Sequence, residues 1–92
     1  MASLYPTVNN NGVDFGLAYY DVRDNQIYAS INNKDDEYGL PLFEIRNNEI
    51  YPTLHNKRYT QGLSVFEIKD TDIYPTASNN IDSYGLALFN IR

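Results

Sequence analysis

Residues 39–53 read GLPLFEIRNNEIYPT. Two stretches rich in β-branched and aromatic residues flank the pair Asn47 and Asn48. Strands favour such residues, and asparagine tolerates the left-handed backbone that two-residue hairpin loops require. Recurrent proline and glycine, together with the lack of a 3.6-residue apolar period, argue against a helix. The segment therefore predicts a β-hairpin.

A two-residue loop also fixes which residues of the two strands face each other. The expected pairs are Arg46 with Glu49, Ile45 with Ile50, Glu44 with Tyr51, Phe43 with Pro52, and Leu42 with Thr53. Because side chains alternate across a strand, one face of the hairpin is apolar, with Phe43, Ile45, Ile50 and Pro52. The other face carries the charged residues, Tyr51 and Leu42. We assign the apolar face to the core.

The same hairpin pattern recurs along the chain with a step of 23 residues. The repeated positions are Gly16, Gly39, Gly62 and Gly85, each followed by leucine; Tyr5, Tyr28, Tyr51 and Tyr74; Asn10, Asn33, Asn56 and Asn79; and Arg23, Arg46, Lys69 and Arg92. We name residues 1–23, 24–46, 47–69 and 70–92 units 1 to 4. The sequence predicts one all-β domain over 1–92, built from these four units.

The prolines, and the positions of the chain ends within the 23-residue repeat, predict how the hairpins are arranged. Proline lacks a backbone N–H, and in the expected register the missing donors of Pro6, Pro52 and Pro75 would point toward the neighbouring unit. We therefore expect four semi-independent hairpins around a pseudo-fourfold axis, a propeller-like ring; a continuous eight-stranded barrel is the second possibility. The last strand of unit 4 begins a hairpin whose second strand is supplied by residues 4–7. The N-terminal strand should thus pair with the C-terminal strand and leave no exposed edge.

Composition bounds the partners and the compartment. The chain of 92 residues has 12 acidic and 7 basic residues and a formal charge of −5, which opposes binding to nucleic acid. It has neither the basic start and apolar run of a secretory signal nor an apolar stretch long enough to span a membrane. With no cysteine, a cytoplasmic location is the default expectation. A mature secreted domain without its signal would look the same.

The residue types needed for catalysis or metal binding are scarce. His55 is the single histidine and cysteine is absent, so one chain cannot form a Cys/His pair or a multi-histidine metal cluster. The acidic residues at 35–37 lack the spacing of an EF-hand and do not recur in the other units. Asp21, Glu44 and Glu67 alternate with basic residues on one strand face and are expected to form surface ion pairs. We predict a non-enzymatic protein with no catalytic residue, metal or cofactor.

The segments that vary most between units are 8–15, 31–38, 54–61 and 77–84. Speculative ligand-binding residues there are Asn10, Asn33, Asn56, Asn79, Phe15, Tyr38 and Tyr84, whose amides and rings are typical of sugar-binding pockets. In unit 3, Gln61 replaces the aromatic residue. The simpler interpretation is that the asparagines bond the backbone and shape the loops.

The tyrosine series is the second speculative set. Tyr5, Tyr28, Tyr51 and Tyr74 are expected on the polar face, where amphipathic aromatic residues suit an interface. The simpler interpretation is that they cover partly exposed neighbours such as Leu42.

Three functions remain open from sequence. The first is a binding module that presents the four variable loops to a protein or a carbohydrate. The second is a structural or self-assembling symmetric scaffold that forms homo-oligomers; an engineered chain would show the same regularity. The third is a small acidic inhibitor that imitates nucleic acid, ranked last because basic residues are interspersed with the acidic ones.

Overall fold

The computed structural model describes residues 2–10, 16–34, 36, 38–79 and 85–92. Eight strands follow one another: β1 (Ala2–Pro6), β2 (Tyr20–Arg23), β3 (Gln26–Ala29), β4 (Pro41–Arg46), β5 (Glu49–Pro52), β6 (Phe66–Lys69), β7 (Asp72–Pro75) and β8 (Phe89–Ile91). Each pairs antiparallel with its neighbours in the chain, and β8 pairs with β1 to close the barrel. The predicted all-β class and the pairing of the N-terminal with the C-terminal strand are confirmed.

The hairpin β4–β5 has the predicted register. Its ladder runs from Phe43 opposite Pro52 to Arg46 opposite Glu49. Asn47 and Asn48 turn the chain with φ angles of 51° and 64°, as a two-residue type I′ turn requires. The local pattern of apolar strands around two asparagines thus determines this hairpin.

Replacement of Asn48 by valine should destabilise the protein by about 1–2 kcal/mol, because a β-branched residue is disfavoured at positive φ. Urea denaturation of Asn48→Val and wild type measures the difference. Asn48→Gly is the matched control and should be at least as stable as wild type, since glycine adopts this conformation without steric cost. Equal stability of the valine variant would contradict the turn assignment.

Closure takes the second of the two predicted forms, the barrel. The favoured propeller-like ring of semi-independent hairpins is wrong, because strands of neighbouring hairpins also pair, as β5 does with β6 through Ile50 opposite Phe66. Those ladders are short: two residue pairs join β5 to β6, against four in the β4–β5 hairpin. They end before Pro52, so its missing N–H interrupts nothing. The lack of pairing at Pro52 toward the neighbouring hairpin was predicted correctly, but it does not prevent the barrel from closing.

Two rings of apolar side chains fill the barrel. Four aromatic residues at positions 23 apart, Tyr20, Phe43, Phe66 and Phe89, pack edge to face in a closed ring, with centroids 5.5–6.2 Å apart. The second ring contains Leu4, Ile27, Ile50 and Ile73, each at most 3% exposed. The gap that these eight side chains enclose is about 10 Å³, at the lower limit for one water molecule. The barrel interior is therefore a packed core and not a ligand cavity.

One part of the predicted face assignment is wrong. Leu42 was expected on the partly exposed outer face, but it is buried within the core cluster. The ladder between β3 and β4 shifts by one residue there, pairing Ile27 with Phe43 and Tyr28 with Pro41. Such a bulge reorients the extra residue. Leu42 consequently extends the core toward the barrel end that carries the loops.

The topology sorts the connections between the two ends of the barrel. The two-residue turns and both chain ends lie at one end, where Ser3 N donates to Arg92 O at 2.8 Å. The long connections all leave the other end, which we name the loop end. No helix within the described ranges has the length and apolar character needed to cross a membrane. The segments that differ most between units are thus gathered on one surface.

Candidate functional site

The asparagine series anchors the loops to the barrel. Asn10, Asn33, Asn56 and Asn79 each donate through Nδ2 to a backbone carbonyl at the start of an outgoing strand or directly before it, at 2.9–3.2 Å; the acceptors are Leu88, Tyr19, Leu42 and Val65. Asn56 Oδ1 also accepts from the N–H groups of Arg58 and Tyr59, both at 3.0 Å. These bonds match the structural interpretation of the series, and they occupy amide atoms that a sugar would need.

A second anchoring series was not singled out from sequence. The hydroxyls of Thr7, Ser30, Thr53 and Thr76 donate to the carbonyl oxygens of Ala87, Ala18, Pro41 and Ser64 at 2.6–2.7 Å. Each bond ties the residue after a return strand to the chain at the start of the outgoing strand of the same hairpin: the acceptor is the first residue of β4 for Thr53 and stands two residues before the strand in the other three. The recurrence of Thr or Ser after the Tyr-Pro or Tyr-Ala step was the available signal. The loops therefore leave the barrel from closed, fixed bases.

Beyond these bases lies an exposed apolar surface. The large hydrophobic side chains that the described ranges expose all lie at the loop end: Val8, Leu17, Ile31, Tyr38, Leu40, Leu54, Leu63 and Leu86. We call these eight the loop-end apolar set. Four of its five leucines, Leu17, Leu40, Leu63 and Leu86, follow the repeated glycines and are 47–68% exposed. A leucine that recurs in every unit without entering the core has no explanation in the packing of the barrel.

The hydroxyl bonds also show how the set is arranged. Thr53 bonds to Pro41 across one hairpin. Leu54 and Leu40 are the next residues outward on the two arms of that hairpin, so they come beside each other. By the same bonds Ile31 follows Ser30 beside Leu17, and Val8 follows Thr7 beside Leu86. In the fourth hairpin the smaller Ala77 takes the corresponding place beside Leu63. The apolar residues are thus distributed as pairs around the barrel rim.

A polar cluster crosses the loop end on one side. Tyr20, the one member of the aromatic ring with a hydroxyl, donates to Asp36 Oδ2 at 2.6 Å. Asp36 Oδ2 also accepts from Arg58 at 2.6 Å. The side chains of Asp36 and Arg58 are 14% and 39% exposed. The cluster joins two variable loops to the core through contacts that do not recur among the residues that the structure describes in the other units.

Burial and the neighbouring charges determine the protonation states of Tyr20 and Arg58. Burial raises the pKa of the Tyr20 phenol well above its ordinary value of 10.0, and the nearby Asp36 carboxylate raises it further. Burial, the largest single effect, lowers the pKa of Arg58, but the hydrogen bond to Asp36 and the charges of Tyr20, Asp36 and Tyr59 together raise it overall. At neutral pH Tyr20 is therefore a neutral hydrogen-bond donor and Arg58 a cation. A phenol held protonated in this way is a structural donor and a poor nucleophile.

Replacement of Tyr20 by phenylalanine would give unit 1 the residue of the other units, yet it should cost about 1–2 kcal/mol, because Asp36 loses a buried donor. Chemical denaturation measures the loss. Tyr28→Phe is the matched control: its hydroxyl bonds Gln26 Oε1 at 3.1 Å on the outer face, and we expect a change within about 0.5 kcal/mol. A Tyr20→Phe variant as stable as wild type would show that the cluster does not contribute.

The same substitution gives a pH test. The raised pKa of Tyr20 means that the folded state binds its proton more tightly than the unfolded state. Its contribution is therefore complete below the unfolded pKa of about 10 and is lost as the pH rises toward the folded value. Wild type should lose stability above about pH 10 more steeply than Tyr20→Phe. Parallel stability curves of the two proteins from pH 8 to about 11 would contradict the assignment.

The predicted aromatic ligand-binding residues are only partly described. Tyr38 is 74% exposed and belongs to the loop-end apolar set, whereas Phe15 and Tyr84 lie outside the described residues. Gln61 lines a cleft of about 220 Å³ with Arg58, Tyr59, Thr60, Gly62, Leu63, Val65 and Ser78. Tyr59, which sequence reasoning missed, turns inward and packs on Phe43 and Phe66. Its ring is thus used by the core.

The tyrosine series lies on the outer face of the barrel, half-buried. Basic residues at the end of the outgoing strands stack over the rings: Arg23 over Tyr28 at 4.0 Å, Arg46 over Tyr51 at 3.9 Å, Arg92 over Tyr5 at 4.4 Å and Lys69 over Tyr74 at 5.3 Å. Diagonal neighbours across a hairpin are within reach of such contacts. The tyrosines therefore have a structural partner within the chain, and their role at an interface stays a prediction.

The strand carboxylates considered from sequence lie apart from the loop end. Glu44 pairs with Arg46 at 3.5 Å and Glu67 with Lys69 at 3.2 Å on the strand surface, as predicted, while Asp21 accepts from Ser3 at 3.2 Å. His55 lies exposed in its loop. The described ranges bring together no group of three His, Cys, Asp or Glu side chains that could hold a metal.

Comparison of the chain with protein-family models, with curated proteins and with solved structures found no match.

Proposed function

We propose that the protein is a non-enzymatic binding module whose loop end holds the surface of another protein molecule. The observation that supports this most directly is the loop-end apolar set, in which the leucine of all four units is exposed. Exposed apolar side chains gathered at one end of a domain in this way typically mark an interaction site on a protein. The packed interior offers no competing site, because its central gap is about 10 Å³.

A fixed base and variable rim suit recognition. The threonine, serine and asparagine bonds hold the start of each loop against the strands, as in Thr53 to Pro41 at 2.6 Å and Asn56 to Leu42 at 2.9 Å. Side chains held on a rigid scaffold lose little conformational freedom on binding. Different residues can therefore occupy the rim without disturbing the barrel, which favours a binding role over a purely structural one.

A protein ligand has more support than a carbohydrate. Sugar pockets need amides and hydroxyls that point outward beside an aromatic face. Here the asparagine Nδ2 groups already donate to backbone carbonyls of the barrel rim. The exposed side chains at the rim are mainly leucine, isoleucine and valine, which match apolar side chains of a protein surface better than hydroxyl groups.

Site-specific photo-crosslinking tests the proposal. A photoreactive amino acid replaces Leu63, which is 68% exposed at the loop end, or Thr71, which is exposed in a turn at the opposite end. In the cells that make the protein we expect a defined protein adduct from position 63 and none from position 71. The adduct partner is then purified and its Kd measured.

The binding measurement compares Leu63→Lys with the matched control Thr71→Lys. A lysine inside an apolar contact should raise Kd at least tenfold, whereas the turn variant should bind like wild type. Equal binding of Leu63→Lys and wild type would overturn the proposal. A glycan array that shows sugar binding unaffected by Leu63→Lys would favour the carbohydrate alternative instead.

A further inference from the structure

The cleft beside Leu63 is small and has an apolar wall. Its volume is about 220 Å³, below the roughly 300–1,000 Å³ of pockets that hold drug-sized molecules. Val65 and the ring of Tyr59 line it and are buried, at 4% and 7% exposure, whereas Leu63 lines it from an exposed position. The size and the apolar wall fit one amino-acid residue with an apolar side chain.

The cleft lies where the repeat changes. Ser78, which lines it, takes a position that holds a larger residue in the other units: Asn9, Asn32 and His55. At the equivalent place in another hairpin, Asn32 Nδ2 donates to Ala18 O at 3.2 Å. The shorter Ser78 makes no such bond to the corresponding carbonyl of Ser64, and its side chain leaves room at this part of the rim. The sequence difference between the units thus contributes to the cleft.

Polar side chains with unused hydrogen-bonding groups form the rest of the lining. Thr60, Gln61 and Ser78 are exposed, and their side chains make no hydrogen bond within the part of the chain that the structure describes. Arg58 bonds there only through Nη2, most closely to Asp36 Oδ2 at 2.6 Å. A guanidinium has N–H donors on all three of its nitrogens. Those on Nη1 and Nε therefore stay available to a ligand.

We propose that this cleft binds the carboxyl-terminal residue of a partner protein, whose apolar side chain packs on Val65 and Tyr59 and whose carboxylate accepts hydrogen bonds from Arg58. The inference rests on the proposed binding role of the loop end and names the part of the partner that is held. Guanidinium groups bind carboxylates through charge-assisted hydrogen bonds. A terminal residue brings an apolar group and a carboxylate within the length of one amino acid.

The two parts of the contact have different roles. Because Arg58 already pairs with Asp36, its bond to a ligand carboxylate mainly fixes orientation, and burial of the apolar side chain supplies most of the affinity. An acidic side chain of a partner would bring the carboxylate without the apolar group. An internal leucine would bring the apolar group without the carboxylate. The terminal residue is thus the part of a protein that matches both sides of the cleft.

Titration of an isotope-labelled sample with N-acetyl-leucine, which has both groups, tests the cleft. We expect the backbone amide signals of Gly62 and Val65 to shift with a Kd on the order of 1 mM, and that of Thr71, in a turn at the opposite end, to stay in place. N-acetyl-leucinamide has the same side chain without the carboxylate. It should bind about tenfold more weakly, the loss expected for a hydrogen bond between charged groups.

Exchange of two equivalent residues locates the binding. Ser78→His introduces the residue that unit 3 has at this position, His55, which is exposed in its own loop. The larger ring should fill part of the cleft and weaken binding of N-acetyl-leucine at least tenfold. His55→Ser is the matched control, because it makes the reverse exchange outside the cleft, and it should bind like wild type. Thermal unfolding of both variants checks that each is folded.

Arg58→Gln separates the carboxylate bond from an effect on the shape of the cleft. The variant should lose the preference for N-acetyl-leucine over N-acetyl-leucinamide, while its affinity for the amide stays within about twofold of wild type. If Arg58 only shaped the cleft, both probes would bind more weakly and their ratio would remain. That result would contradict the assignment of Arg58.

The outcomes separate this inference from the proposed function. Absence of shifts at Gly62 and Val65 up to about 20 mM N-acetyl-leucine, or equal binding of the acid and the amide, would overturn the carboxyl-terminal assignment. So would tighter binding of N-acetyl-glutamic acid α-amide, which carries only a side-chain carboxylate. The binding role of the loop end would survive these results if photo-crosslinking at position 63 captured a protein that Leu63→Lys releases and Ser78→His retains.

Discussion

Replacement of Phe66 by alanine should remove about 3–5 kcal/mol of stability, the range for deleting a large buried aromatic side chain. Phe66 is 6% exposed and contacts Phe43, Phe89 and Tyr59 edge to face, with centroids about 6 Å apart. Removing it opens the aromatic ring on both sides. Since small domains are stable by roughly 5–15 kcal/mol, this loss is a large fraction of the total stability.

The matched control for this prediction is Leu63→Ala. Leu63 lies three residues earlier and is 68% exposed, so its removal should change stability by no more than about 0.5 kcal/mol. Guanidinium denaturation of both variants and wild type gives the comparison. If Phe66→Ala cost no more than Leu63→Ala, the aromatic ring would not be the core of the protein.

Replacement of Ser3 by proline should cost at least about 2 kcal/mol, because it removes a donor from the seam between β1 and β8 and leaves a carbonyl unpaired. Ser3 N donates to Arg92 O at 2.8 Å, and Arg92 N returns the bond to Ser3 O at 2.9 Å. An opened seam would also expose two strand edges. We therefore expect lower thermal stability together with a greater tendency to aggregate.

Ser3→Ala separates the backbone effect from the side chain. It loses the hydroxyl bond to Asp21 at 3.2 Å but keeps the N–H, so a loss below about 1 kcal/mol is expected. Differential scanning calorimetry with light scattering records both melting and aggregation. Proline and alanine variants of equal stability would mean that the seam carries no stabilising pairing.

The strands and their register could be predicted because they depend on local chemistry. Asparagine at two successive turn positions fixed the pairing of Phe43 with Pro52 before any long-range contact was considered. The repetition at 23 residues then carried the same register to the other hairpins. The pairing of the chain ends followed from the phase of residues 4–7 within that repeat.

The form of closure was harder to predict because it depends on a balance. Loss of one N–H at Pro52 argued for separate hairpins, but the ladder between the neighbouring strands β5 and β6 needs only residues on the turn side of Pro52, such as Ile50 opposite Phe66. Burial of the apolar rings then favours full closure over separation. The position of a proline shows which backbone hydrogen bond is missing. It does not show whether the remaining hydrogen bonds between the hairpins are enough to close the barrel.

The loop end could be predicted least. Repetition of leucine after glycine was visible in the sequence, yet a repeated apolar residue normally indicates a core position, and Leu40 and Leu63 instead lie exposed. The Tyr20, Asp36 and Arg58 cluster joins three different positions of three units, so the repeat carried no signal for it. Contacts that differ from one unit to the next could be identified only from the structure.

The long connections lie together at one end only because the barrel is closed. Backbone NOEs measure this closure most directly. In an isotope-labelled sample we expect cross-strand NOEs between β1 and β8, including Tyr5 with Asn90 and Leu4 with Ile91, which face each other in the antiparallel ladder. A folded protein that showed the hairpin NOEs of β4 with β5 but none between residues 2–6 and 89–92 would contradict a closed barrel.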